Sequence, residues 1–307
     1  MSKILVATEK PFAPAAVKGI KEILEKEGYS VVLLEKYTEK KQLLEAVADV
    51  EAIIIRSDKI DKEVFDAAKK LKIVVRAGAG YDNVDLDEAT KHNVCVMNTP
   101  GQNSNAVAEL VMGMLVYMNR VRFSGKSGKE LKGKTLGIVA FGNVGQNVAR
   151  IAKGFGMEIS AYDAFPNKAK FEEYGVKYVA CEKELFANNQ IISLHAPATP
   201  ETIKSINYDL VMSMPKNGII VNSARKEIID EEGLLRAMKE REDLTYITDI
   251  MPTNNDEMVA ALGDRYFSTP KKMGAQTGEA NANAGLAAAR QIVGFLKNGE
   301  ERFRVNK

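Results

Sequence analysis

The chain alternates short, wholly apolar runs with amphipathic stretches, and that alternation sets its class. In the first third the runs are ILVAT (4–8), YSVVLLEKY (29–37), AIIIRS (52–57), IVVRAG (73–78) and VCVMN (94–98). Between them, AAVKGIKEILEKEG and DKEVFDAAKKL carry apolar residues at i, i+3, i+4 and i+7, the repeat of a helix with one buried face. A strand that is apolar on both sides needs cover on both sides. Helices alternating with such strands therefore imply a parallel sheet clad on two faces. A long helix pattern at 105–123 and a polar break, SGKSGKELKGKT, lead into a second series: LGIVAFG (136–142), MEISAYD (157–163), IISLHAP (191–197), GIIVNSAR (218–225), LTYITDI (244–250) and RYFSTP (265–270). Two such series predict two α/β domains. The Ala-rich helix pattern at 278–298 is placed to return the chain to the first domain, making that domain discontinuous.

Charge narrows the range of partners. The 43 basic and 41 acidic residues leave a net charge of +2, which gives no basis for nucleic-acid or anionic-membrane binding. Cys95 and Cys181 lack metal-ligand spacing and make no disulfide framework, so a reducing, cytoplasmic setting and no metal site are expected. The longest apolar run, Leu110 to Met118, is too short to span a bilayer, and MSKILVATEK runs into a strand without a cleavable-signal pattern.

The second series opens with LGIVAFGNVGQNVARIAKGFGMEISAYD. A strand meets a turn of small residues, a helix begins at Asn143 or Val144, and the next strand ends in Asp163, the layout of a dinucleotide-binding βαβ unit. Gly142 lets backbone approach a pyrophosphate lying on the helix N-terminus, and Gly145 lets the helix pack close to the strand. Asp163 would accept hydrogen bonds from the adenosine ribose hydroxyls and repel a 2′-phosphate, which favours NAD over NADP. The usual first glycine is Ala140, so the turn needs a conformation that a Cβ tolerates. Read alone, the motif also fits a tight strand–helix turn in any α/β protein.

RAGAGYDNVDLDEAT with VMNTP, the nucleotide turn, SLHAPATPET, and VNSAR followed by DEEGLL together resemble the D-2-hydroxyacid dehydrogenases, and within them the 3-phosphoglycerate subclass, over nearly the whole chain. The resemblance implies two Rossmann-like domains, one flavodoxin-like and one NAD-binding, with the active site in the cleft between them. Residues 1–98 and 283–307 would form the substrate domain and 99–282 the NAD-binding domain. A homodimer through the helix at 105–123 and a small-molecule substrate are also implied.

Around Gly78, Ala79 and Gly80 the backbone lacks bulk and follows a strand, so its N–H groups suit a substrate carboxylate. The resemblance assigns Arg225 to the substrate carboxylate and carbonyl, with a structural salt bridge as the alternative. It assigns Asp249 to the nicotinamide carboxamide, with a helix N-cap as the alternative. Arg56, followed by Ser57, would reach the substrate's distal phosphate or carboxylate, or be a solvated loop arginine. It also places Ala79, Asn143, Val144, His195, Ala196, Pro197, Ser223, Ala224, Arg225, Gly274 and Ala275 on the cofactor.

Hydride exchange at a hydroxyl carbon needs a partner for the hydroxyl proton, in this family usually a His oriented by a Glu. Of two histidines, His92 sits at a helix end as a surface residue and His195 lines the cofactor side. The acid–base motif itself reads TPKKMGAQT (269–277). Counting back from Gly274, Ala275 and Thr277 puts Lys272 in the histidine's place; counting forward from Thr269 and Pro270 puts Lys271 there. The downstream match favours Lys272. The orienting glutamate's position holds Asn254, and Glu257 is the nearest carboxylate to replace it. A reference lysine titrates near ~10.4, and a Glu beside it would push it higher. A neutral Asn254 leaves burial, Arg225 and the oxidised nicotinamide free to lower it. Lys226 and Glu227, where the family carries small residues, have no evident role. The implied activity is NAD-dependent oxidation of 3-phosphoglycerate, the first step of serine synthesis. Because the chain closes at FRVNK, serine feedback inhibition is not expected. A glyoxylate or hydroxypyruvate reductase, or an NAD-sensing scaffold, are the alternatives.

Overall fold

The structure, a computed structural model, describes residues 2–306 and divides into two compact units. The first comprises Met1–Asn103 and Ala275–Lys307, the second Ser104–Gly274. The units part at 103/104 and 274/275, not at the expected 98/99 and 282/283. The last helix accounts for the second shift, since it begins at Gly278 and belongs from its first turn to the first unit.

In the first unit, β1 (Lys3–Thr8), α1 (Pro14–Lys26), β2 (Ser30–Glu35), α2 (Lys40–Val47), β3 (Ala52–Ile55), α3 (Lys62–Ala67), β4 (Ile73–Arg76), α4 (Leu86–Lys91) and β5 (Cys95–Asn98) build a five-stranded sheet ordered β2-β1-β3-β4-β5. Every ladder is parallel. Ile53, Ile55, Val74 and Val96 face one apolar layer and Ile54, Ile73, Val75 and Met97 the other, the two-sided burial that unbroken apolar runs require. The final helix lies against α1, and small residues allow the approach. A Cβ on Gly19 would stand 2.6 Å from Leu286 Cδ2, and one on Gly285 2.8 Å from Ile20 Cδ1.

The second unit starts with α5 (Ser104–Asn119). It continues through β6 (Thr135–Val139), α6 (Asn143–Gly154), β7 (Glu158–Tyr162), α7 (Lys168–Tyr174), β8 (Lys177–Tyr178), α8 (Glu182–Asn188), β9 (Ile191–Leu194), α9 (Tyr208–Met212), β10 (Ile219–Asn222), α10 (Glu231–Glu240), β11 (Thr245–Thr248), α11 (Asn255–Leu262) and β12 (Tyr266–Ser268). α12 (Gly278–Asn298) then re-enters the first unit. The second sheet, also parallel, runs β12-β11-β10-β9-β6-β7-β8. Strand order reverses between β6 and β9, so the loops leaving these two strands diverge and open a crevice at their carboxyl ends. The expected helix at 105–123 ends at Asn119; Val121, Arg122 and Phe123 all take positive φ (50°, 55°, 56°) and break it. Much of its apolar surface, including Val111, Met112, Met114 and Leu115, is buried within its own unit. No helix of the described residues is long and apolar enough to cross a membrane.

Candidate active site

The nucleotide turn leaves β6 at the point of strand reversal. Ala140 adopts φ 69°, the left-handed region where a Cβ costs roughly 1–2 kcal/mol, so the turn takes a glycine-like conformation without the glycine. Its N–H donates to Tyr162 O at 2.9 Å, tying the turn to β7. Gly145 is required by contact, because a Cβ there would lie 2.5 Å from Ala140 O. Gly142 is the N-cap of α6 and offers no side-chain cap; a Cβ on it would meet nothing within 4 Å. Open space in front of uncapped first-turn N–H groups at Asn143, Val144 and Gly145 suits a pyrophosphate. Asp163 accepts from Phe141 N at 2.7 Å and from Phe165 N at 2.8 Å. Each oxygen keeps a further lone pair, and the residue is part exposed, so ribose hydroxyls can reach it. These residues fit NAD.

His195 follows β9. Its Nε2 lies 2.8 Å from Ser193 Oγ and its Nδ1 3.3 Å from Ser223 Oγ. Burial pushes its pKa down to about 3, which keeps the ring neutral. Ala196, Ser223 and Ala224 are buried beside it, and Pro197 is exposed.

Strand β10 stops at Asn222, short of the expected Arg225, and the turn beyond is held by that fully buried side chain. Asn222 Oδ1 accepts from Ala224 N at 2.9 Å, and Nδ2 donates to Arg225 O at 3.0 Å. Arg225 is part exposed, with Nη1 donating to Ala224 O at 2.9 Å. It makes no ion pair among the described residues, so it serves no structural salt bridge.

Asp249 is neither a helix N-cap nor open to a ligand in this structure. Only 1% exposed, it accepts from Thr269 Oγ1 (2.9 Å), Met273 N (2.9 Å) and Gly274 N (2.8 Å), and so holds both ends of the lysine loop. Thr269 Oγ1 also lies 3.0 Å from Lys271 O, a second acceptor for the same hydroxyl hydrogen. Lys271 and Lys272 are both exposed, not buried as expected for Lys272. Asn254 precedes α11 and donates to Glu231 O at 3.5 Å, while Glu257 stands exposed on that helix. Ala275, beyond the loop, opens the returning segment of the first unit.

The first unit gathers its own group at the carboxyl ends of β3 and β4. Arg56 is half-buried, not a solvated loop residue. Its Nη1 donates to Lys10 O (2.8 Å) and Pro11 O (2.9 Å), its Nη2 to Asn281 Oδ1 (2.6 Å), and its guanidinium lies over Phe12. Ser57 is exposed. Gly78 has φ 150°, and a Cβ there would sit 1.5 Å from Arg76 Nη1. Gly78 N turns back to Arg76 O at 2.9 Å, so of the expected nest only Ala79 and Gly80 keep N–H groups without an acceptor among the described residues. Arg76 was not among the expected site residues. It closes the apolar strand β4, and its Nε donates to Arg56 O at 3.0 Å. Burial and the neighbouring Arg56 charge both lower its pKa.

No group of His, Cys, Asp and Glu among the described residues is arranged to hold a metal ion. The rest of the expected residues of the second unit, from the nucleotide turn to the lysine loop, lie on one edge of its sheet, at the carboxyl ends of β6, β7, β9, β10, β11 and β12.

Residues 110–270 match the family of D-isomer specific 2-hydroxyacid dehydrogenases, NAD binding domain. The chain is 36% identical to a D-3-phosphoglycerate dehydrogenase of Methanocaldococcus jannaschii across 97% of its length, but spans only 58% of that protein. It is 36% identical to a hydroxypyruvate reductase of Thermotoga maritima, covering 84% of this chain and 88% of that one. The NAD+-bound 3-phosphoglycerate dehydrogenase structure of Entamoeba histolytica shares 52% identity with a TM-score of 0.86, over 100% of this chain and 99% of that chain.

Proposed function

The chain belongs to the D-isomer specific 2-hydroxyacid dehydrogenases and carries their NAD-binding domain, and from that premise we propose that it oxidises 3-phosphoglycerate to 3-phosphohydroxypyruvate, the first step of serine synthesis. The observation that carries the reading is the lysine loop fixed by Asp249 on the same sheet edge as Arg225 and the nucleotide turn.

In this reading NAD, when bound, supplies the hydride acceptor. The uncapped first turn of α6 holds the pyrophosphate, and Asp163 takes the ribose hydroxyls and disfavours a 2′-phosphate. Arg225, without a carboxylate of its own, holds the substrate carboxylate and draws charge onto the reacting oxygen. Lys272, as the amine, takes the hydroxyl proton as the C–O bond becomes a carbonyl, and as the ammonium returns it in the reverse direction. Asp249 holds the loop that presents it. Arg56, and Arg76 beside it, bind the distal phosphate. A homodimer through α5 belongs to the same proposal, its part-exposed Leu110, Val116, Tyr117 and Met118 being the apolar residues left for a partner.

A reductase of glyoxylate or hydroxypyruvate is favoured by one observation: three Arg56 N–H groups already donate to Lys10 O, Pro11 O and Asn281 Oδ1. Oxidation of NADH with phosphohydroxypyruvate, hydroxypyruvate and glyoxylate separates the readings. Preference for phosphohydroxypyruvate supports the dehydrogenase, preference for the others the reductase, and no turnover at a useful rate an NAD-sensing scaffold.

A further inference from the structure

Two cations follow one another at the carboxyl edge of the second sheet, Arg225 and Lys226, and the backbone that carries them is fixed on both sides. Asn222 clamps the turn before them. Beyond them, Ile228 and Ile229 are buried in the core, and Ile229 N closes back on Lys226 O at 3.0 Å. Lys204 N donates to Glu227 O at 2.9 Å and Ile206 N to Ile228 O at 3.0 Å, stitching the segment to the chain before α9. The stem of Lys226 therefore starts from a rigid point.

Lys226 is part buried, and its Nζ lies 3.4 Å from Thr253 Oγ1, a long contact with a neutral group. Like Arg225, it makes no ion pair among the described residues. Two carboxylates on the adjoining loops, Glu231 and Asp249, are engaged elsewhere. Glu231 accepts from Thr253 N with both oxygens at 3.0 Å, and Asp249 takes Thr269, Met273 and Gly274. Glu227 is exposed, and position 254, beside Thr253, holds a neutral Asn. An ammonium held on a fixed backbone without a counter-charge gains when an anion arrives. One carboxylate is enough for Arg225 alone; a second fixed cation gains most from a substrate with more negative charge.

We propose that Lys226 is a specificity-determining residue that favours a phosphorylated 2-oxo or 2-hydroxy acid over its unphosphorylated counterpart, an inference that rests on the dehydrogenase reading above.

The test compares NADH oxidation by the full chain and its Lys226→Gln and Lys226→Arg variants, with phosphohydroxypyruvate and hydroxypyruvate as paired probes. Lys226→Gln should lose roughly tenfold or more in kcat/KM for phosphohydroxypyruvate, through KM, while hydroxypyruvate changes by less than about threefold. Lys226→Arg should recover most of the loss, and raised salt should depress the wild type more than Lys226→Gln. Equal losses on both substrates, or none on the phosphorylated one, overturn the inference while leaving the dehydrogenase reading intact. A wild type that turns over neither substrate, or only hydroxypyruvate, overturns the dehydrogenase reading first and this inference with it.

Discussion

Gly274 N–H donates to Asp249 Oδ2 at 2.8 Å, and a Cβ added at Gly274 would stand 3.0 Å from that same oxygen and 3.3 Å from Val107 Cγ2. The end of β11 and the far side of the lysine loop are thus joined by an approach that only glycine permits without displacement. Asp249→Asn replaces one acceptor oxygen by an amide, so one of the donors at Thr269, Met273 and Gly274 loses its partner inside the protein. A hydrogen bond to a charged group is worth about 1.5–3 kcal/mol, and the variant should unfold at lower denaturant by that order. Turnover should fall with it, and amide exchange should rise at 269–274 first. Gly274→Ala should show the same local loosening with a smaller loss of stability. Unchanged exchange in that loop counts against Asp249 as its anchor.

The two lysines next to that anchor divide cleanly by substitution. Lys272→Ala should lower kcat by about 10²–10⁴, the usual range for a lost acid–base group, with Lys271→Ala near wild type. The reverse outcome moves the role to Lys271, and activity in both variants removes lysine from proton transfer.

At the nucleotide turn, Ala140 holds φ 69° and its carbonyl leaves no room for a Cβ on Gly145. Ala140→Gly relieves strain of roughly 1–2 kcal/mol, against an added chain-entropy loss of about 0.5–1 kcal/mol. The melting temperature should rise slightly and NAD affinity should hold. Gly145→Ala, with its Cβ driven to 2.5 Å from Ala140 O, should abolish NAD binding measured by calorimetry. A Gly145→Ala protein that binds NAD normally contradicts the pyrophosphate assignment.

The class of fold was legible because apolar runs of strand length cannot be buried on two faces in any other way. Their ends were not. Residues 140–142, 196–197 and 223–224 continue the apolar or small-residue runs, yet they leave the ladder to form the turns at the sheet's carboxyl edge. Strand β8 escaped notice because it is two exposed residues, Lys177 and Tyr178, at the sheet's margin. Pairings between distant positions were hidden for a different reason. That Asp249 holds Gly274, or that Arg56 meets Lys10, Pro11 and Asn281, depends on how loops fold back, and no local spacing encodes it. Arg76 is legible, since it ends the apolar run IVVR as Arg225 ends GIIVNSAR.

His195 gives the fold an acid-sensitive point. Its folded pKa is about 3, against an ordinary value of 6.5, because burial disfavours the charged ring. The folded form therefore binds the proton less readily than the unfolded chain. The associated stability is fully present above pH 6.5 and is lost as pH falls from there towards 3. Over that window the loss is at most about 1.4 kcal/mol for each pH unit. His195→Gln keeps a hydrogen-bonding group between Ser193 and Ser223 and removes the titration. Denaturant melts of wild type and variant should therefore converge as pH is lowered from 7 to 4, the wild type losing its lead. Parallel pH dependence in the two proteins means that His195 is not held neutral by the fold.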